Sequence, residues 1–288
     1  QIWPINQEQT EFKITGVLPK NMEINLQDPR CKLVVIANTA PETIENDKTL
    51  YNYTQLDPRN EDSSIPMWGV MTTDISPLMN ASHYELTEDV WLLRSAAKIE
   101  VILSDKLKEQ GTTITSATLK YYNIKGNVVP ANWQTCNNTP ELNCDDSFNI
   151  YRHAAVTLPL INDEESGDYY LYIPEYDNIN YPGERNKISL SFYDQGKEKI
   201  FEDAISFCEY SNGKRIEGTD YNITRNHIYR FTVRSIAGES LMLEYHVADW
   251  DAEDWGNNEE YKEHDITYPT YLNPLVPYDY IVSTDQKN

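Results

Sequence analysis

Glycine is scarce: 11 in 288 residues, fewer than the 15 prolines. That scarcity leaves little room for glycine-rich phosphate cradles, and no GxSxG nucleophile elbow is present. Basic residues are also few, 24 Lys and Arg against 46 Asp and Glu, for a formal charge of −22. Such a chain repels nucleic acid, whose phosphates need a basic footprint, and repels an anionic membrane surface. No apolar run approaches the roughly 18 residues that a spanning helix requires. The chain begins at Gln1 without a signal peptide, so the expectation is an exported protein whose leader has been removed.

Cysteine is sparse as well, with four in the chain. Cys136 and Cys144 share the polar loop "WQTCNNTPELNC" and are expected to pair as an exposed staple, as befits an oxidising compartment. Cys31 and Cys208 border apolar strands and read as free thiols in the packing. None of these spacings is that of a zinc site. The five histidines, His83, His153, His227, His246 and His264, are scattered, although His227 and His246 fall in one hairpin where they could face each other.

What is abundant is strand pattern. "LLRSAAKIEVILSD" alternates in twos, with Leu93, Ala97, Ile99, Val101 and Leu103 on one side and Arg94, Lys98 and Glu100 on the other. Similar runs occur at "EFKITG", "CKLVVIAN", "ITSATLKYYNI", "DYYLYIP", "KISLSFYD", "KIFEDAISF", "HIYRFTVRSI" and "SLMLEYHVADW". The last two form a hairpin turning through "AGES". Twenty-one tyrosines against 6 phenylalanines suit strands with one wet face. Only "SDKLKEQG" promises a turn or two of helix, ended by Gly111. The chain reads as all-β.

Domain limits follow from polar stretches. The reading places an N-terminal β-domain at 1–158, a second at 159–256, and an extended arm at 257–288. Pro269, Pro274 and Pro277 bar most of that arm from a central strand, leaving a weakly alternating end from Tyr278. Ahead of the arm, "DWDAEDWGNNEE" places Asp249, Asp251, Glu253 and Glu260 at calcium-loop positions. Position six, where the loop needs glycine, is Asp254, so the stretch reads as a solvated acidic linker. Six tryptophans offer a sugar platform, Trp133 and Trp255 being the ones least expected in a core. Neither a catalytic constellation nor a cofactor motif emerges, and the chain is expected not to be an enzyme.

Several of these stretches also stand in a particular order. "IPMWGVM", "LLRSAAKIEVIL", "ITSATLKYYN", "YLYIPEY", "ITRNHIYRFTV" and "LEYHVADW" together resemble the fimbrillin family, subunits of type V pili on Bacteroidia-type bacteria. The resemblance implies two tandem transthyretin-like Greek-key β-sandwich domains, export as a lipoprotein, and attachment at the outer membrane as part of a fimbria. It further implies trimming by a trypsin-like protease, for which Arg30 is a conceivable point, then strand addition between subunits. Tyr278, Tyr280 and Val282 would be donor-strand side chains. Expected partners are other fimbrial subunits, or a host protein or glycan; the alternative is a surface lipoprotein that binds such a ligand without polymerising.

Overall fold

The computed structural model describes residues 2–4, 12–16, 27–38, 55–56, 65–79, 83–86, 89–124, 126–130, 133–136, 154–211, 214–237, 240–249 and 280–283. In chain order the strands are β1 (Ile2–Pro4), β2 (Phe12–Gly16), β3 (Arg30–Ala37), β4 (Gln55–Leu56), β5 (Met67–Asp74), β6 (His83–Glu85), β7 (Leu93–Arg94), β8 (Ala97–Leu103), β9 (Thr113–Asn123) and β10 (Gly126–Asn127). They continue as β11 (Ala154–Pro159), β12 (Ile161–Asn162), β13 (Tyr169–Ile173), β14 (Lys187–Asp194), β15 (Lys197–Ser206), β16 (Tyr210–Ser211), β17 (Lys214–Arg215), β18 (His227–Ala237), β19 (Ser240–Asp249) and β20 (Tyr280–Ser283). A short helix, α1 (Asp105–Glu109), follows β8 and ends at Gly111, whose φ of 77° suits glycine. The fold is all-β.

Two sheets, ordered β12-β13-β8-β18-β19 and β11-β9-β14-β15, close on one large core. Ile99 and Val101 of β8, Leu171 of β13 and Phe231 of β18 meet Leu119 of β9 with Ile188, Leu190 and Phe192 of β14. Phe207 is the hub, making edge contacts with Tyr221, Tyr229 and Phe231 at 6.3, 5.8 and 5.3 Å between ring centres. Aromatic pairs of this geometry add about 0.5–1.5 kcal/mol each beyond the area they bury.

The expected half-buried strand is buried on both faces. β8 lies between β13, antiparallel, and β18, parallel, with Tyr229 opposite Ile99 and Phe231 opposite Val101. Its charged face is buried too: Lys98 and Glu100 are each 7% exposed, and Arg230 beside them 1%. Glu100 accepts from Arg230 at 2.6 and 2.7 Å and pairs with Lys98, so the ionic face is closed by its own contacts. Burial pushes the Glu100 carboxyl up, but the charges of Lys98 and Arg230 outweigh it and hold the group below the usual range.

A second, smaller pair of layers holds the N-terminal strands. The sheet β3-β5-β7 has Trp68, Val70 and Leu93 on one face, packed with Val128, Val129 and Trp133. Met71, Val90 and Leu92 pack together with Leu33, Val35, Ile14 of β2 and Tyr84 of β6 in a separate cluster. Gly69 lies so close to the Trp91 carbonyl that a side chain would collide with backbone. β8 and β9, assigned by the sequence reading to the first domain, share their sheets with strands beyond residue 159, and β11 straddles 158/159. Their partners lie far along the chain, where periodicity carries no information.

The two bodies join where the chain passes from β7 to β8. Arg225 is 2% exposed, donates to the Val128 carbonyl at 2.7 Å and the Asn127 carbonyl at 3.2 Å, and pairs with Glu175 at 2.8 Å. Its guanidinium also lies over the Trp68 ring, 5.7 Å from the centre. Asn226 holds a left-handed φ of 57°. That turn lets its side chain accept from the Arg94 amide at 3.1 Å while its own amide donates to the Ala96 carbonyl at 2.8 Å.

Removing one partner of a buried ion pair strands the other charge, so Arg225→Ala is expected to cost about 3–5 kcal/mol in urea unfolding. A second expectation concerns acid. Because the folded Glu100 carboxyl titrates below its unfolded value, its contribution is complete above the ordinary carboxylate range. It is lost as pH falls through the lowered folded value. Glu100→Gln should therefore flatten the loss of stability below about pH 4, measured as urea midpoint against pH.

Candidate strand-insertion site

The sheet β1-β2-β20-β6 contains strands from the two ends of the chain. β1 and β2 form an antiparallel pair through Trp3↔Lys13. β20 then enters between β2 and β6. It runs parallel to β2, with Tyr280 opposite Ile14 and Val282 opposite Gly16, and antiparallel to β6, with Ile281 opposite Glu85 and Val282 opposite Tyr84. Both edges of this short strand are thus bonded, as in the centre of a sheet.

Local chemistry explains why this part of the arm can do so. The last proline is Pro277, and a strand paired on both sides cannot spare its amide donors. The four residues of β20 all retain theirs. On either side, Lys13 of β2 reaches Glu85 of β6 at 3.1 Å, an ion pair between the two strands that flank β20. Both partners are substantially exposed, so the pair contributes orientation more than energy. Below, Ile14 and Tyr84 from the flanking strands pack with Met71, Leu86, Val90 and Leu92, which fixes the slot's walls to the β3-β5-β7 layer.

Of the expected donor side chains, Tyr280 and Val282 stand in β20, while Tyr278 lies outside the described residues. Arg30 is the first residue of β3, exposed, opposite Asp74, and bound to Asp28 at 2.7 Å. That contact holds the Asp28 carboxyl below its usual range. A cut after Arg30 would separate β1 and β2 from everything that follows.

The other singled-out residues do not converge. Cys136 is buried and disulfide-bonded, and Cys144 lies outside the described residues. Cys31 and Cys208 are free thiols, and burial pushes both up, keeping them protonated and poor nucleophiles. His227 stands opposite Asp249 and His246 opposite Arg230, so the two histidines project from opposite faces instead of facing each other. Trp133 is 8% exposed and packs on Trp68 and Val128, which withdraws it from any sugar platform. Its place in a short turn just after the buried Val128 and Val129 gives no periodicity from which to infer this. The stretch from Trp250 to Glu260 and Trp255 within it lie outside the described residues. Among the described residues, no group of three or more His, Cys, Asp or Glu is arranged to hold a metal. No helix among them is long and apolar enough to cross a membrane.

No family model matches the chain, and no curated protein matches it. Among solved structures it is similar to a candidate cell adhesion protein from Bacteroides uniformis, at 11% identity over 66% of this chain and 75% of that one, TM-score 0.30. A candidate cell adhesion protein from Bacteroides fragilis is 10% identical over 83% of this chain and 90% of that one, TM-score 0.28. A candidate adhesin from Bacteroides ovatus is 14% identical over 68% and 60%, TM-score 0.27. Likenesses this distant settle neither function nor partners.

Insertion of β20 makes a testable demand on the backbone. Proline at 281 removes an amide donor from the middle of the strand. Ile281→Pro should then raise hydrogen exchange in β2 and β6 while β8, β13 and β18 keep their protection; unchanged β2 and β6 would place the slot elsewhere.

Proposed function

We propose that the chain is a structural and adhesive subunit of a bacterial surface fimbria of the type V pilus kind, exported and held at the outer membrane. Copies join by strand exchange after proteolytic trimming. One observation carries this reading: a strand from the far end of the chain sits between two strands of the N-terminal sheet, bonded on both sides. A slot of that kind can take the same segment from a neighbour with the bonds it makes to its own chain, since those bonds are main-chain and identical.

Trimming supplies direction. Cleavage after Arg30 detaches β1 and β2, so β20 loses its parallel partner and keeps only β6. The strand is then free to be exchanged. The ordered run of fimbrillin-like motifs from "IPMWGVM" to "LEYHVADW" supports the same assignment. In this reading the chain performs no catalysis, and its partners are other subunits.

A second reading rests on the same strand. A chain that fills its own slot needs no neighbour, which favours a non-polymerising surface lipoprotein that binds glycan or host protein. Trypsin treatment of the full chain separates the two. Fimbrial assembly predicts rods in electron micrographs, or ladders on gels, after cleavage at Arg30, abolished in both Ile281→Pro and Arg30→Ala. Clean trimming that leaves only monomers would instead favour the ligand-binding lipoprotein.

A further inference from the structure

Every sheet in the larger sandwich has two edges, and three of the four are blunted. β12 is two residues long. β11 ends in Pro159. β15 carries Lys197, Glu198, Lys199, Glu202 and Asp203, its register with β14 slips, and Asp203 holds a φ of 49°. Short length, proline, charge and irregularity are the usual means of keeping an edge from pairing with another chain.

β19 is protected least: its only acidic residues are Glu244 and Asp249, it has no lysine or arginine, and its register with β18 slips once. It is ten residues long, contains no proline and no left-handed residue, and among the described strands only β18 pairs with it. Leu243, Tyr245 and Val247 belong to the core face, and Met242 on the opposite face is 49% exposed. We infer that this edge pairs with β19 of a second copy, antiparallel about a two-fold axis at Tyr245, joining two five-stranded sheets into one of ten.

Sidedness requires an axis through a residue. Among such axes the one at Tyr245 is chosen for the Glu244–His246 pairing it creates, although burial and Arg230 lower the His246 pKa. In an antiparallel pair, residues directly opposite share a face, so the core faces of two copies align only when the axis passes through a residue and not between two. An axis at Glu244 would set Glu244 against its own copy, two carboxylates in contact. One at His246 sets two imidazoles together. At Tyr245, Glu244 faces His246 of the other copy on one side of the sheet, twice over. On the core side Leu243 faces Val247, which extends the apolar layer from one copy into the next. Glu244 remains anchored by Arg234 of β18, so the carboxylate is held in place before the second copy arrives. The contact is isologous and closes at two copies. It is independent of the β20 slot, and in a fimbria it would join units side by side, not end to end.

Charge exchange tests it on the full chain. By sedimentation, the unaltered protein should show a monomer–dimer equilibrium. Glu244→Lys sets lysine against histidine, and His246→Glu sets two carboxylates together; each alone should weaken the dimer about tenfold. Mixing the two variants should restore dimers as heterodimers, since every cross pair is then complementary. Should Glu244→Lys fail to fold for want of Arg234, the second measurement is hydrogen exchange of the unaltered protein. β19 should gain protection as concentration rises. A protein that is monomeric throughout, dimers indifferent to both substitutions, or association lost only in Ile281→Pro would each overturn the inference.

Discussion

The guanidinium of Arg225 ties the two halves of the molecule together. It lies almost wholly out of water, and its attachments come from three separate parts of the chain: Glu175 before β14, the carbonyls of Asn127 and Val128, and the Trp68 ring in β5. Burying that charge is costly, and the cost is offset only when all three segments are in place. The smaller layers therefore cannot shift against the larger sandwich without exposing an unmet cation. Asn226, next in sequence, uses its left-handed backbone to hold the crossing from β7 to β8 from the other side.

The same logic recurs in the centre of the larger sheet. β8 carries a lysine and a glutamate where a central strand normally carries valine or isoleucine. Arg230, delivered by a parallel neighbour 130 residues away, completes the set. Ionic groups of this kind demand one alignment of β8 with β18, because a one-residue slip would turn every side chain of β8 to the opposite face. Specific register, more than added stability, is the role such a buried network suits here.

Which features the sequence disclosed follows from these contacts. Local periodicity was enough to find β2, β3, β8, β9, β13, β14, β15, β18 and β19, together with α1 and its glycine stop. It was silent on neighbours. Lys98 and Glu100 look like a wet face because alternation says which side chains are together and not what covers them. β11, "AAVTLP", mixes small residues with a proline and gave no signal. Trp133 was expected near the surface because its surroundings are polar in sequence, though not in space. The tail was legible in a useful way: its prolines excluded a central strand up to Pro277, and the strand that forms begins just past them.

One further consequence follows from the distance along the chain between β19, which ends at Asp249, and β20, which begins at Tyr280. The tail is tethered to its own slot, so it competes for that slot at an effective concentration on the order of millimolar for a linker of ordinary length. A neighbour free in solution rarely reaches that level. In the assembly proposed above, a neighbour confined to a membrane surface beside the end of a growing fibre would reach it. On that reading the tether would set a concentration threshold, keeping copies separate while they are dilute and allowing exchange only where they are crowded.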